Sequence, residues 1–110
     1  MEYKMGLQSK YFNLIKKSEK TVEARLNDAK WQKLKVGDII EFCEEPDRDN
    51  KIDTIVVELD KYNSFSDAID DKGIKCFTNE DESSYFTDLE KYYPKDKQEE
   101  NGVLAITVSK

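Results

Sequence analysis

Polar and apolar residues alternate over residues 21–26, the period of a half-buried β-strand. Val22, Ala24 and Leu26 are expected on one face, and Thr21, Glu23 and Arg25 on the other. Over residues 8–17 the spacing changes. Tyr11, Phe12 and Ile15 recur at helical intervals with Leu14 flanking and lysines opposite, which predicts a short amphipathic helix with Ser9 as its N-cap. After the break at Asn27-Asp28, residues 29–34 predict one helical turn that plugs Trp31 into the core. Val36-Gly37-Asp38 is a turn signal leading into a strand over 39–43, and the Ile/Val-rich run 53–62 predicts a long strand. Ser64 starts a helix that ends at Asp71 or Lys72, before Gly73. Residues 79–84 read as a loop, 87–93 as a helix closed by Pro94, 95–100 as a further turn, and 103–108 as the last strand. Strands separated by short helices, without βαβ alternation, predict an α+β fold with a small mixed β-barrel, in a single domain over 1–110.

Composition narrows the chemistry. The hydrophobic set is 37% of 110 residues and the charged set 38%, enough for one modest core under a heavily charged surface. No apolar run approaches the roughly 20 residues that cross a bilayer, and no basic-then-apolar leader marks export, so a cytoplasmic protein without a membrane partner is expected. Cys43 and Cys76 lie far apart and are expected as reduced, buried or half-buried thiols. With no histidine, Ser-His-Asp and Cys-His catalysis and histidine zinc sites are excluded. The run 44–50 lacks the glycine and closing glutamate of an EF-hand loop and reads as an acidic turn, so neither metal nor cofactor is expected. Net charge is −6, yet residues 1–38 carry nine basic and five acidic residues, and the rest nine and nineteen. A ligand can be steered by such a local field even on an acidic protein.

The polar face of the 21–26 strand, entered by Lys20, therefore admits two readings. Thr21, Glu23 and Arg25 could hold a polar ligand by bidentate hydrogen bonding. They could equally form a solvated sheet face laced with cross-strand ion pairs.

The spacing Ser18-x-Lys20-x-x-Glu23-x-Arg25 resembles the Gly-x-Lys-x-x-Glu-x-Arg motif of the ASCH family, a group of PUA-like β-barrels, with Ser in place of the first Gly. A preceding helix, the turn at 34–40 and the closing strand at 102–106 agree with that family in order and spacing. The resemblance implies binding of RNA, a nucleotide or a nucleoside in a cleft lined by Lys20, Glu23 and Arg25. Arg25 would meet a phosphate or a base edge, Lys20 a phosphate, and Glu23 an exocyclic amine or ribose hydroxyl. Thr21 and Tyr85 would add contacts, and Tyr11, Tyr85 and Phe86 are candidates for base stacking, with a core role as the alternative. One subgroup resembles hydrolases of N4-acetylcytidine that use Lys, a Thr three residues later, and a later Glu. Here Glu23 occupies the Thr position, so that nucleophile is missing, and the later Glu falls near Glu80 or Glu82. Other members are linked to RNA cleavage, which would make Lys20 and Glu23 acid–base partners. A protein-interaction module is the third reading.

Overall fold

The computed structural model describes residues 2–110. One mixed sheet is built from β1 (Glu2–Leu7), β2 (Val22–Leu26), β3 (Ile39–Glu44), β4 (Lys51–Tyr62) and β5 (Val103–Ser109). Its spatial order is β1-β3-β4-β5-β2, with β1 parallel to β3 and all other pairs antiparallel. Helices α1 (Ser9–Lys16), α2 (Phe65–Lys72), α3 (Glu82–Tyr92) and α4 (Lys95–Asn101) pack around it. The expected α+β architecture is present as a curled, open half-barrel.

Two features of β4 create the curl. The strand is long enough to pair with both β3 and β5, and its register with β5 slips between Val56 and Glu58. A bulge of this kind adds a residue to one strand and sharpens its bend. The edge strands β1 and β2 are thereby brought round to face each other. Arg25 of β2 spans the gap, its Nη2 donating to the Gly6 carbonyl of β1 at 3.0 Å. The seam is closed by a side chain, where a complete barrel would have a strand ladder.

Phe42, Phe65, Phe77, Ile40, Ile106, Val56 and Val103 fill the interior. Trp31 is buried against the ring of Tyr3, with centroids 5.7 Å apart. Ser64 caps α2 by accepting from the Asp67 N–H at 3.1 Å, and Gly73 ends the helix with a φ of 89° that favours glycine. Cys43 is buried, Cys76 half-buried, and both are free thiols.

The structure corrects three expectations. Gln8, not Ser9, holds the N-cap position of α1, with no side-chain cap; the Ser9 hydroxyl lies 3.5 Å from the Glu45 carbonyl instead. The stretch read as loop up to residue 84 is already helical from Glu82, because Asp81 caps α3 by accepting from the Ser84 N–H at 2.8 Å. No strand was expected before α1, yet Met5 and Leu7 are buried in β1.

Candidate functional site

A cleft of about 340 Å³ opens where the sheet fails to close. β1 and the residue after it supply Gly6, Leu7 and Gln8, and β2 supplies Glu23, Ala24 and Arg25. Tyr11 of α1 and Glu45, after β3, add to the wall. Over the top lie Tyr85, Asp88, Leu89 and Tyr92 of α3, followed by Tyr93. Gly6 leaves room for the Glu45 carboxylate: a Cβ there would sit 1.9 Å from Glu45 Oε1 and push that flexible side chain aside.

The floor is a three-residue charge chain. Lys20 is only 1% exposed and lies behind the wall rather than in it. Its Nζ donates to the carbonyls of Val22 at 2.8 Å and Phe77 at 2.7 Å, and it pairs with Glu23 Oε1 at 3.2 Å. The rings of Tyr11, Phe77 and Tyr85 surround the ammonium with centroids 5.4, 5.8 and 5.5 Å away. Burial pulls the Lys20 ammonium below the ordinary lysine value, with Glu23 opposing. Glu23, 7% exposed, gives its other oxygen to Arg25 Nε at 3.0 Å. Burial works against the Arg25 charge, but Glu23 and Tyr93 together outweigh it and hold the guanidinium above its usual value. Two cations thus fix one carboxylate at both oxygens, unlike a solvated sheet face.

Thr21 is not brought into this cleft. It lies just before β2, its N–H on the Cys76 carbonyl and its own carbonyl accepting from Val108 N–H, and it lines a separate hollow beside Ser18. Tyr11 and Tyr85 reach the cleft, but as buried walls in edge-to-face contact at 5.8 Å. Phe86 is on the other side of α3, facing a hollow shared with Ser64 and Phe65. The open aromatic surface comes from residues the sequence reading did not single out: Tyr92, 56% exposed, and Tyr93, whose rings are 6.5 Å apart. Their signal was the Tyr-Tyr pair just before the helix-ending Pro94.

A second polar cluster ties α1 to α3 across the mouth. The Tyr11 hydroxyl lies 2.9 Å from Glu80 Oε1 and 2.7 Å from Asp88 Oδ2, and Lys10 reaches the same two carboxylates at 3.2 and 2.5 Å. Of the two later glutamates, Glu80 is therefore the one beside the site, and Glu82 is exposed at the start of α3. The hydrogen bond from Lys10, then that from Tyr11, holds the Asp88 carboxyl below its ordinary value. A depressed folded-state value contributes stability above the unfolded value of about 3.9, which is lost as pH falls through the folded value. We expect the Asp88 carboxyl to titrate by NMR below about 3.9, and Tyr11→Phe to move its midpoint upward. An unmoved midpoint would show that Tyr11 does not bind it.

Among the described residues no group of three or more Cys, Asp or Glu is placed to hold a metal ion, and no helix is long and apolar enough to cross a membrane.

Two solved structures share this architecture over nearly the whole chain. One is the crystal structure of hypothetical protein PH0355, with 30% identity, a TM-score of 0.86, and coverage of 99% of this chain and 98% of that one. The other is the solution NMR structure of protein PF0455 from Pyrococcus furiosus, also 30% identical, with a TM-score of 0.78 and coverage of 99% and 96%. No curated protein matches the sequence. The family model of the ASCH domain matches residues 5–110, and the chain belongs to the ASCH domain family.

Proposed function

We propose that the cleft binds a single unpaired base, presented by RNA or by a free nucleotide or nucleoside, and leaves the phosphates outside. The observation that carries this is the Glu23–Arg25 pair, held rigidly by Lys20 and Gly6 in a cleft of about 340 Å³ walled by tyrosines. A fixed acceptor beside a fixed planar donor reads a base edge, and tyrosine faces stack the ring. The basic excess of residues 1–38 does not act as a phosphate clamp here. Lys20 is enclosed, Lys10 is paired with Glu80 and Asp88, and Arg25 is paired with Glu23.

The hydrolase reading draws on Lys20, whose burial favours the neutral amine. Against it, the three protons of the ammonium all face acceptors, so a resting general base would leave one of them without its donor and turn its lone pair toward an acceptor rather than a substrate.

The test is an amide-resolved NMR titration with the four ordinary nucleosides and with short single-stranded RNA. Saturable shifts at residues 6–8, 23–25 and 88–93 are expected. Affinity should depend weakly on salt, with a slope no steeper than about −1, since few phosphates are contacted. Silence at those residues would sink the reading and favour an interaction module.

A further inference from the structure

We infer that the base this cleft prefers carries positive charge on its ring, as an N-alkylated purine or pyrimidine does. The inference rests on the base-binding reading and adds the charge of the ligand to it.

Three observations converge. The first is where the charges face. Glu23, Glu45 and Asp88 line the cleft from β2, the loop after β3, and α3, whereas Arg25 is the one cation among the lining residues. The cations that balance the carboxylates stand behind them: Lys20 behind Glu23, Arg48 on Glu45 Oε1 at 2.7 Å, and Lys10 on Asp88. An incoming ring therefore meets three carboxylates and one guanidinium.

The second is how Arg25 is spent. It donates to Glu23 and to the Gly6 carbonyl. Its charge is already matched by Glu23, so it offers an anion no unpaired cation. The third is the aromatic surface. Tyr92, exposed, and Tyr93, half-buried against Phe65, line the cleft, and Tyr85 is buried in its wall. A ring quadrupole attracts a cation, and the attraction grows as water is excluded. A neutral base would gain stacking and edge hydrogen bonds only. A charged base gains those and in addition the attraction of a lining in which carboxylates outnumber cations.

The experiment compares matched pairs on the intact protein by calorimetry in mildly acidic, low-salt buffer: adenosine with 1-methyladenosine, and cytidine with 3-methylcytidine. The charged member is expected to bind about tenfold tighter, and the preference should shrink in both Glu45→Gln and Asp88→Asn. Glu45 lies in the turn after β3 rather than on α3, so its variant keeps the test valid if Asp88→Asn disturbs that helix. Equal or tighter binding of the neutral member would overturn the inference and leave base binding standing. No binding of any nucleoside, free or within a short RNA, would overturn both. If the methylated base is preferred only inside RNA, the ligand is an RNA residue; if the free nucleoside suffices, it is the nucleoside itself.

Discussion

Lys20→Ala is expected to destabilise the domain by about 3–5 kcal/mol, the range for removing one partner of a buried ion pair. Three losses coincide at this position. Glu23 keeps Arg25 but loses the cation at Oε1, in a place where water cannot replace it. The Val22 and Phe77 carbonyls lose a charged donor, and a buried acceptor without a partner costs about 1–3 kcal/mol. The space among Tyr11, Phe77 and Tyr85 is left as a cavity. Urea denaturation followed by circular dichroism measures the sum. The double variant Lys20→Met with Glu23→Gln removes both charges and keeps the volume, so it should lose less than the two single changes added together. A cost for Lys20→Ala below about 1 kcal/mol, the value of an exposed pair, would mean that Lys20 is not enclosed as described.

That Lys20 is structural first was not legible in the chain. Its cage is assembled from Tyr11, Phe77 and Tyr85, which lie on α1, after a 3-10 turn and on α3, and no local pattern announces such a meeting. What was legible is what neighbours in sequence decide. Ser64 and Gly73 bracket α2 through a hydroxyl cap and a positive φ, both local effects. The alternation at 21–26 gave β2 and put Glu23 and Arg25 on the same side. It failed for Thr21 because the residue precedes the regular strand and is held by Cys76 and Val108. β1 escaped notice because six residues ending in Gly-Leu carry little signal of their own. The strand is held by parallel pairing to β3, a contact more than thirty residues away. α3 was begun too late because the polar run Asp81-Glu82-Ser83-Ser84 hides an N-cap followed by an acidic first turn, which suits a helix dipole as well as a loop. Asp88, Tyr92 and Tyr93 fell within the predicted helix, but they enter the cleft only because α3 packs over the seam, a long-range placement that no local pattern announces.

Arg25→Ala should produce the largest loss of ligand binding, because the residue joins the two halves of the site. The guanidinium spends Nε on Glu23 and Nη2 on Gly6, and so links one edge strand to the other while fixing the carboxylate that reads the ligand. Charge-assisted hydrogen bonds contribute about 1.5–3 kcal/mol each. Arg25 keeps some exposure, with 20% of its side chain open, and water can solvate part of what is left behind. A stability loss of about 2–3 kcal/mol is therefore expected, below that of Lys20→Ala. Affinity for whichever nucleoside binds should fall by about tenfold or more, since both the donor and the orientation of Glu23 are lost. Arg25→Lys separates the two roles. A lysine restores one positive charge beside Glu23 but has no planar fork to reach Gly6 as well, so stability should recover in part while affinity stays low. The amide shifts of Gly6 and Leu7 report the seam directly and should move in both variants. If Arg25→Lys bound ligand as well as the native protein, charge alone would suffice at the floor, and base-edge recognition by a fixed guanidinium would have to be abandoned.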